Sequence, residues 1–290
     1  MHDPGIGREG LVRIPVDEAF AMRPGQLEEA IRADRAAGRR PIAIVATIGT
    51  TSSTAIDPVS SIADIASREG LWLHVDAAYA GAVAMIPARR GPFDGWERAD
   101  SIVINPHKWL FTPLDASLLL TPRMEDLRSA FSLVPEYLRT LDRATPVRDF
   151  NEYQPQLGRR FRALKLWIQL RWFGLDGLRR RIERHIEMAH EFASWIDAAP
   201  DWERLAPVPF STVCFRWNPG SVRNREAPDD AALDARNAAI MDAVNRQGDV
   251  FLSHTRLDGS FTIRLSVGNL RTEPRHVERA WALLRQAAAG

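Results

Sequence analysis

Lysine is nearly absent from this chain. Of its 38 basic residues only Lys108 and Lys165 carry an amine; the other 36 are arginines. The bias is most simply codon usage, since both side chains serve equally on a solvated face. A guanidinium, however, stays protonated and cannot act as an amine nucleophile, whereas an ammonium can give up its proton. A lysine retained here is therefore a candidate for amine chemistry. Net charge is also lacking: 37 acidic residues leave +1, which gives no electrostatic case for nucleic acid. The longest basic block, Arg179-Arg180-Arg181, falls in a helical pattern with Glu183 and Glu187 and reads as a solvated helix face. The single cysteine, Cys214, excludes an internal disulfide. It lies in an apolar run, 211–217, where a buried structural thiol is expected, and the cysteine usage points to the cytoplasm. No run of 18 apolar residues exists, so no membrane span is expected. Met1-His2-Asp3-Pro4-Gly5 is not a signal peptide.

What is present is ordinary in bulk: 45% hydrophobic and 26% charged residues over 290 positions. That suits one large domain or two smaller ones with an ample core. Gly5-Ile6-Gly7-Arg8-Glu9-Gly10 has the spacing of a dinucleotide fingerprint, but four residues before it cannot supply the required strand. Residues 11–15 after it read as a strand rather than a helix. The segment is a loop and a nicotinamide site is rejected. Helical spacing over 27–37 is followed by a short apolar run, 41–48, expected as a strand buried on both faces. A helix over 59–67, strands over 71–75 and 101–104, a further strand over 116–120 and a short helix over 124–131 complete a βαβ pattern. Periodicity fails from 132 to 157, which marks a functional or mobile loop. Helices over 159–173 and 178–196 are separated by breaks at Gly174 and Gly177. Strands over 211–217, 250–253 and 260–266, with helices over 229–245 and 274–288, suggest a small α+β unit. The expected division is 1–175 and 176–290.

Ligands of open parallel sheets bind beyond the carboxyl ends of the strands. Gly49-Thr50-Thr51-Ser52-Ser53-Thr54 follows the first strand, Asp76-Ala77-Ala78-Tyr79 the second, and Asn105-Pro106-His107-Lys108-Trp109 the third. A hydroxyl cluster, a carboxylate and a lysine should thus converge on one rim. A buried carboxylate needs a partner, and a lysine in such a place becomes nucleophilic. Pyridoxal phosphate chemistry requires this pair: the lysine for a Schiff base and the acid to keep the pyridine nitrogen protonated. A buried ion pair that only fixes packing fits the positions equally well. His185 and His190 are five apart, share no helix face and suggest no metal pair.

Several spaced motifs carry a resemblance. Asn105-Pro106-His107-Lys108-Trp109, His74-Val75-Asp76-Ala77-Ala78-Tyr79-Ala80-Gly81, Ala46-Thr47-Ile48-Gly49-Thr50-Thr51 and Leu157-Gly158-Arg159-Arg160-Phe161 resemble the group II pyridoxal-phosphate-dependent decarboxylases, of which the aromatic-L-amino-acid decarboxylases are the best known. The resemblance runs in order from about Gly5 to the C-terminus. It implies an α/β fold of the fold-type I transferase kind, with a mostly parallel sheet, flanking helices and a small C-terminal α+β domain. It implies pyridoxal 5'-phosphate as cofactor, an aromatic L-amino acid as substrate, and a homodimer. It assigns Lys108 to the Schiff base, Asp76 to the pyridinium nitrogen, Ala78 to packing on the ring, Thr50 and Asn105 to cofactor contacts, and His107 to the phosphate end. Pro135-Glu136-Tyr137-Leu138 matches the family's catalytic loop, with Tyr137 as the acid that reprotonates the α-carbon. Relatives with phenylalanine there tend toward oxidative deamination to an aldehyde, so Tyr137 favours decarboxylation.

The family's N-terminal region has no counterpart in these residues. It holds a phosphate-binding loop and a histidine that stacks on the cofactor, and no histidine lies between His2 and His74. The expectation is a truncated decarboxylase that binds its cofactor weakly alone. The competing readings are a non-catalytic remnant and another fold-type I enzyme, an aminotransferase or lyase.

Overall fold

The computed structural model describes residues 7–132, 150–220 and 230–290. Its first half is built on helix α1 (Pro24–Ala36), strand β1 (Ala43–Thr47), helix α2 (Val59–Glu69), strand β2 (Trp72–Asp76), strand β3 (Ser101–Ile104), the single turn α3 (Pro106–Trp109), strand β4 (Leu118–Leu120) and helix α4 (Met124–Phe131). The sheet order is β1-β2-β3-β4. β1 and β2 pair in parallel with Thr47 opposite Asp76, β2 and β3 in parallel with Asp76 opposite Val103, and β4 closes the edge antiparallel to β3. The parallel register brings the carboxyl ends of β1, β2 and β3 to one rim.

Branched side chains explain why these runs are strands, and their alternation explains which face is covered. Ile44 and Ala46 of β1 and Leu73 and Val75 of β2 pack with Ile62, Ile65 and Ala66 of α2 in one core. The opposite face differs from expectation. Val45 is 53% exposed and Ile42 55%, so β1 is buried on one face only, because α2 covers that face alone. Residues 11–15 form no strand either. A lone bridge joins Val16 to Met22, and without a neighbouring strand to take its backbone bonds an apolar run stays irregular.

The second half begins with the long helix α5 (Arg162–Ala198), continues through β5 (Trp202–Arg204), β6 (Thr212–Trp217), α6 (Asp230–Arg246), β7 (Ser253–Leu257) and β8 (Ser260–Ser266), and ends with α7 (Pro274–Ala289). These strands form an antiparallel sheet ordered β5-β6-β8-β7. Within α5 only Gly174 leaves helical geometry, at φ 65 and ψ 170, a conformation that glycine adopts without a Cβ penalty. Gly177, expected as a second break, is buried inside the helix, and its carbonyl accepts from Arg181. Before the kink the helix is apolar and exposed at Leu164, Trp167, Ile168 and Trp172. After it, Leu178, Ile182 and Ile186 join the first core, while Met188, Phe192 and Ile196 join a second core with Val213, Phe215, Ile263, Leu265 and Leu283.

Two strand positions depart from expectation. β5 carries no clear pattern over its three residues. β7 starts at Ser253 rather than 250, because Asn245 takes both backbone groups of Leu252 that a ladder would need: its Nδ2 donates to the Leu252 carbonyl (2.9 Å) and its Oδ1 accepts from the Leu252 N–H (2.7 Å).

Candidate active site

The rim is assembled by backbone contacts between three loops. After β1 the chain turns at Gly49, whose φ is +86; a Cβ there would lie 2.8 Å from the Ala80 Cβ. Glycine thus lets the hydroxyl loop press against the segment that follows β2. The loop is tied internally, since the Thr50 carbonyl accepts from the Thr54 N–H (3.0 Å) and Thr50 Oγ1 from the Ala55 N–H (3.0 Å). After β2, one carboxylate oxygen of Asp76 accepts from the Ala78 N–H at 3.0 Å. The next loop locks onto this one: the Asn105 N–H donates to the Ala78 carbonyl at 3.0 Å, and Lys108 N–H to the Asn105 carbonyl at 2.9 Å.

The loops that carry Thr50, Asp76, Ala78, Asn105, His107 and Lys108 therefore meet, and these residues have distinct surroundings. Ala78 is buried, while Thr50, Asp76, Asn105 and His107 are half-buried and Lys108 is exposed. Asn105 Oδ1 accepts from the Ser117 hydroxyl (2.6 Å), and His107 Nδ1 accepts from the Ala116 N–H (3.1 Å), which leaves the ring proton on Nε2. Neither Lys108 nor Asp76 is ion-paired with a described residue. The packing-only ion pair is thus not what holds this rim together. Burial lowers the pKa of His74, on β2 two residues before Asp76, and the Asp76 charge opposes that shift. Tyr137 lies outside the described residues. Lys165 is half-buried on α5. No group of three or more metal-ligating side chains occurs among the described residues.

Behind the rim lies an aromatic support that the sequence reading passed over. Trp109, next to Lys108, is fully buried and stacks on Tyr79 at 4.6 Å between centroids with 4° between planes. Its indole N–H donates to His185 Nδ1 at 3.1 Å. That bond fixes the neutral tautomer, and burial pushes His185 down to about 4. Tyr79 Oη lies 2.6 Å from Ser211 Oγ, which itself donates to the Val267 carbonyl at 2.6 Å, so the tyrosine is the donor of the first bond. Burial pushes the Tyr79 phenol up to about 12, and it stays protonated. The only sequence signal was the aromatic flanking each motif; the partner on α5 is 76 residues from Trp109.

The residues present suit pyridoxal phosphate. A carboxylate with one oxygen that no described residue contacts, an exposed amine unpaired among the described residues, a small apolar surface at Ala78 and a hydroxyl at Thr50 form the donor set that its ring nitrogen, aldehyde and ring face require.

Comparison with known proteins agrees. The model of the pyridoxal-dependent decarboxylase conserved domain matches residues 6–218. Tryptophan decarboxylase TDC1 of Camptotheca acuminata is 43% identical over 273 residues, 94% of this chain and 53% of that protein. Phenylacetaldehyde synthase of Arabidopsis thaliana is 41% identical, covering 93% and 54%. The crystal structure of Oryza sativa TDC with PLP and tryptamine superposes with a TM-score of 0.91 at 36% identity, over 98% of this chain and 58% of that one. The chain spans about half the length of the curated relatives it matches. A family model covering most of the chain, and relatives that agree with it almost end to end, leave one conclusion: the chain belongs to the pyridoxal-dependent decarboxylase family.

Proposed function

We propose that the protein is a pyridoxal-phosphate-dependent carboxy-lyase that converts an aromatic L-amino acid to its amine. The observation that carries this reading is the convergence of Thr50, Asp76, Asn105 and Lys108 on one rim of a parallel sheet, in a chain of this family. When bound, the cofactor supplies an electron sink for the charge left at the substrate α-carbon. Lys108 Nζ would be the amine that holds it covalently. Asp76 would keep the pyridine nitrogen protonated with the oxygen that no described residue contacts. Ala78 would pack against the ring, and Thr50, Asn105 and His107 would orient it. Tyr137 delivers the proton to the α-carbon once carbon dioxide has left.

Purified protein and Lys108→Ala are titrated with pyridoxal phosphate and then given L-tryptophan or L-tyrosine. The expected result is a visible absorption band and amine release with the parent chain, and neither with Lys108→Ala. A parent chain that takes up no cofactor overturns the reading; an identical band in Lys108→Ala overturns the lysine assignment. Phenylacetaldehyde synthase among the relatives supports a second reading, oxidative deamination to an aldehyde. Product analysis, amine against aldehyde, separates the two.

The division at 1–175 and 176–290 is proposed with it, supported by two sheets and two cores. A homodimer is supported by the exposed apolar stripe Leu164, Trp167, Ile168 and Trp172, which is of the kind that marks protein interfaces. A cytoplasmic compartment is supported by the lone, reduced and buried Cys214. No helix among the described residues is long and apolar enough to cross a membrane.

A further inference from the structure

Besides the Tyr79–Ser211 contact, the second sheet reaches the rim at the hydroxyl loop. Arg264, on β8, points its guanidinium at the hydroxyl loop after β1. Its Nε donates to the Ser52 carbonyl at 2.8 Å and one terminal nitrogen to the Thr51 carbonyl at 2.7 Å. The other terminal nitrogen donates to Ser253 Oγ on β7 at 3.1 Å. Cys214, paired across the sheet with Arg264, donates its thiol to the same Ser52 carbonyl at 3.3 Å. Thr255 Oγ1 lies 2.9 Å from Ser52 Oγ. Three side chains, one from each of three strands, thus converge on two consecutive residues, while no carboxylate among the described residues pairs with Arg264.

The arrangement is specific to the chemistry of a fork. Two adjacent carbonyls are held by two nitrogens of one planar cation, a fixed geometry that an ammonium, with all its donors on one atom, does not impose. Bonds from a charged donor are stronger than neutral ones, and besides them the loop is held by its own turn and by the neutral Cys214 and Thr255 contacts. Thr51 and Ser52 directly follow Thr50, so the position of the Thr50 hydroxyl is set by where these carbonyls are pinned.

We propose that Arg264 is a positioning residue for cofactor binding: by clamping the Thr51 and Ser52 carbonyls, with Cys214 and Thr255 in support, it holds Thr50 in place on the rim. The proposal rests on the reading of Thr50 as a pyridoxal phosphate contact. It makes cofactor affinity depend on a side chain that belongs to the other sheet.

The test compares the parent chain, Arg264→Gln, Arg264→Lys and, as a control, Arg256→Gln. Arg256 sits on β7, and its guanidinium goes to Asp234 and the Gly259 carbonyl rather than to the loop. Two quantities are read. One is the dissociation constant for pyridoxal phosphate, by absorbance titration. The other is the exchange rate of the Thr54 and Ala55 amide hydrogens without cofactor. Arg264→Gln is expected to weaken cofactor binding about tenfold or more and to speed both amides. Arg264→Lys should recover part of each effect, and Arg256→Gln should change neither. Unchanged affinity in a folded Arg264→Gln overturns the proposal while leaving the functional reading intact. No binding by the parent chain overturns both. Should Arg264→Gln not fold, Thr255→Val is measured in the same way; it is expected to weaken binding severalfold, and no change in affinity or exchange overturns the clamp.

Discussion

The sheet β1–β4 and the sheet β5–β8 have equal numbers of strands and opposite relations to the rim. The first is parallel over β1 to β3, and the described candidate residues follow the ends of those strands. The second is antiparallel and contributes none of them. It contributes groups that are already engaged: Arg264 through all three guanidinium nitrogens, Ser211 between Tyr79 and Val267, Cys214 on the Ser52 carbonyl. Lys108 and Asp76, by contrast, carry no ion pair with any described residue. The candidate residues Lys108 and Asp76 are thus free of ion pairs among the described residues, while the groups from the second sheet are engaged. Burial reinforces the contrast, since it pushes the Cys214 thiol up to about 11 and keeps it a donor rather than a thiolate.

The comparison breaks most severely if the second sheet loses its core. Phe215 is fully buried and meets Phe192 at 5.1 Å and Trp202 at 5.9 Å. Phe215→Ala is expected to lower unfolding stability by about 3–5 kcal/mol, measured by urea denaturation followed by tryptophan fluorescence. A loss below about 1 kcal/mol would mean that the sheet is not packed as described.

A smaller effect comes from the joint at His185. Its pKa falls from 6.5 in the unfolded chain to about 4 in the folded one. Between those values the unfolded chain takes up a proton that the folded chain refuses. Stability is therefore complete above pH 6.5, declines as pH falls toward 4, and levels below that. The expected loss is on the order of 3 kcal/mol. His185→Gln keeps an acceptor for the Trp109 indole but cannot titrate. The difference in stability between parent and variant, followed from pH 7 to pH 4, should shrink or change sign as pH falls; a pH-independent difference would contradict the assignment.

The smallest expected effect sharpens the picture of the contact between sheets. Tyr79→Phe removes the hydroxyl that donates to Ser211 but leaves the stack on Trp109 and the bond from Ser211 to Val267. The expected cost is about 1 kcal/mol, read as a lower urea midpoint at unchanged slope. A changed slope would indicate that the two sheets had come apart before global unfolding.

Much of the first sheet was legible because its signals are local. Short branched runs bounded by turn residues gave β2, β3 and α4 nearly to the residue, and the polar residues after each strand named the rim. What escaped notice depends on long-range partners. Burial of β1 on a single face depends on which helix lies over it. The shift of β7 depends on one asparagine side chain. His185 looked bland because its partner is 76 positions away, and Arg264 was one arginine among 36 until two carbonyls 212 and 213 residues earlier were seen beneath it. The arginine bias and the two lysines now take on separate meanings: the fork suits a clamp on two carbonyls, and the amine suits covalent attachment.

The part of α5 that follows Gly174 is a rod embedded at one end in each core. No plane can be drawn through the molecule that separates the two cores without cutting or stripping that rod. The asymmetry has a consequence for dissection. A piece ending at residue 175 forfeits Leu178, Ile182, Ile186 and Phe210 from its interior and is left with a hollow where they lay. A piece starting at 176 keeps its own interior whole and carries Leu178, Ile182, Ile186 and Phe210 into water. The C-terminal half is thus the more self-sufficient one, and the half that holds the candidate residues is the one that leans on it.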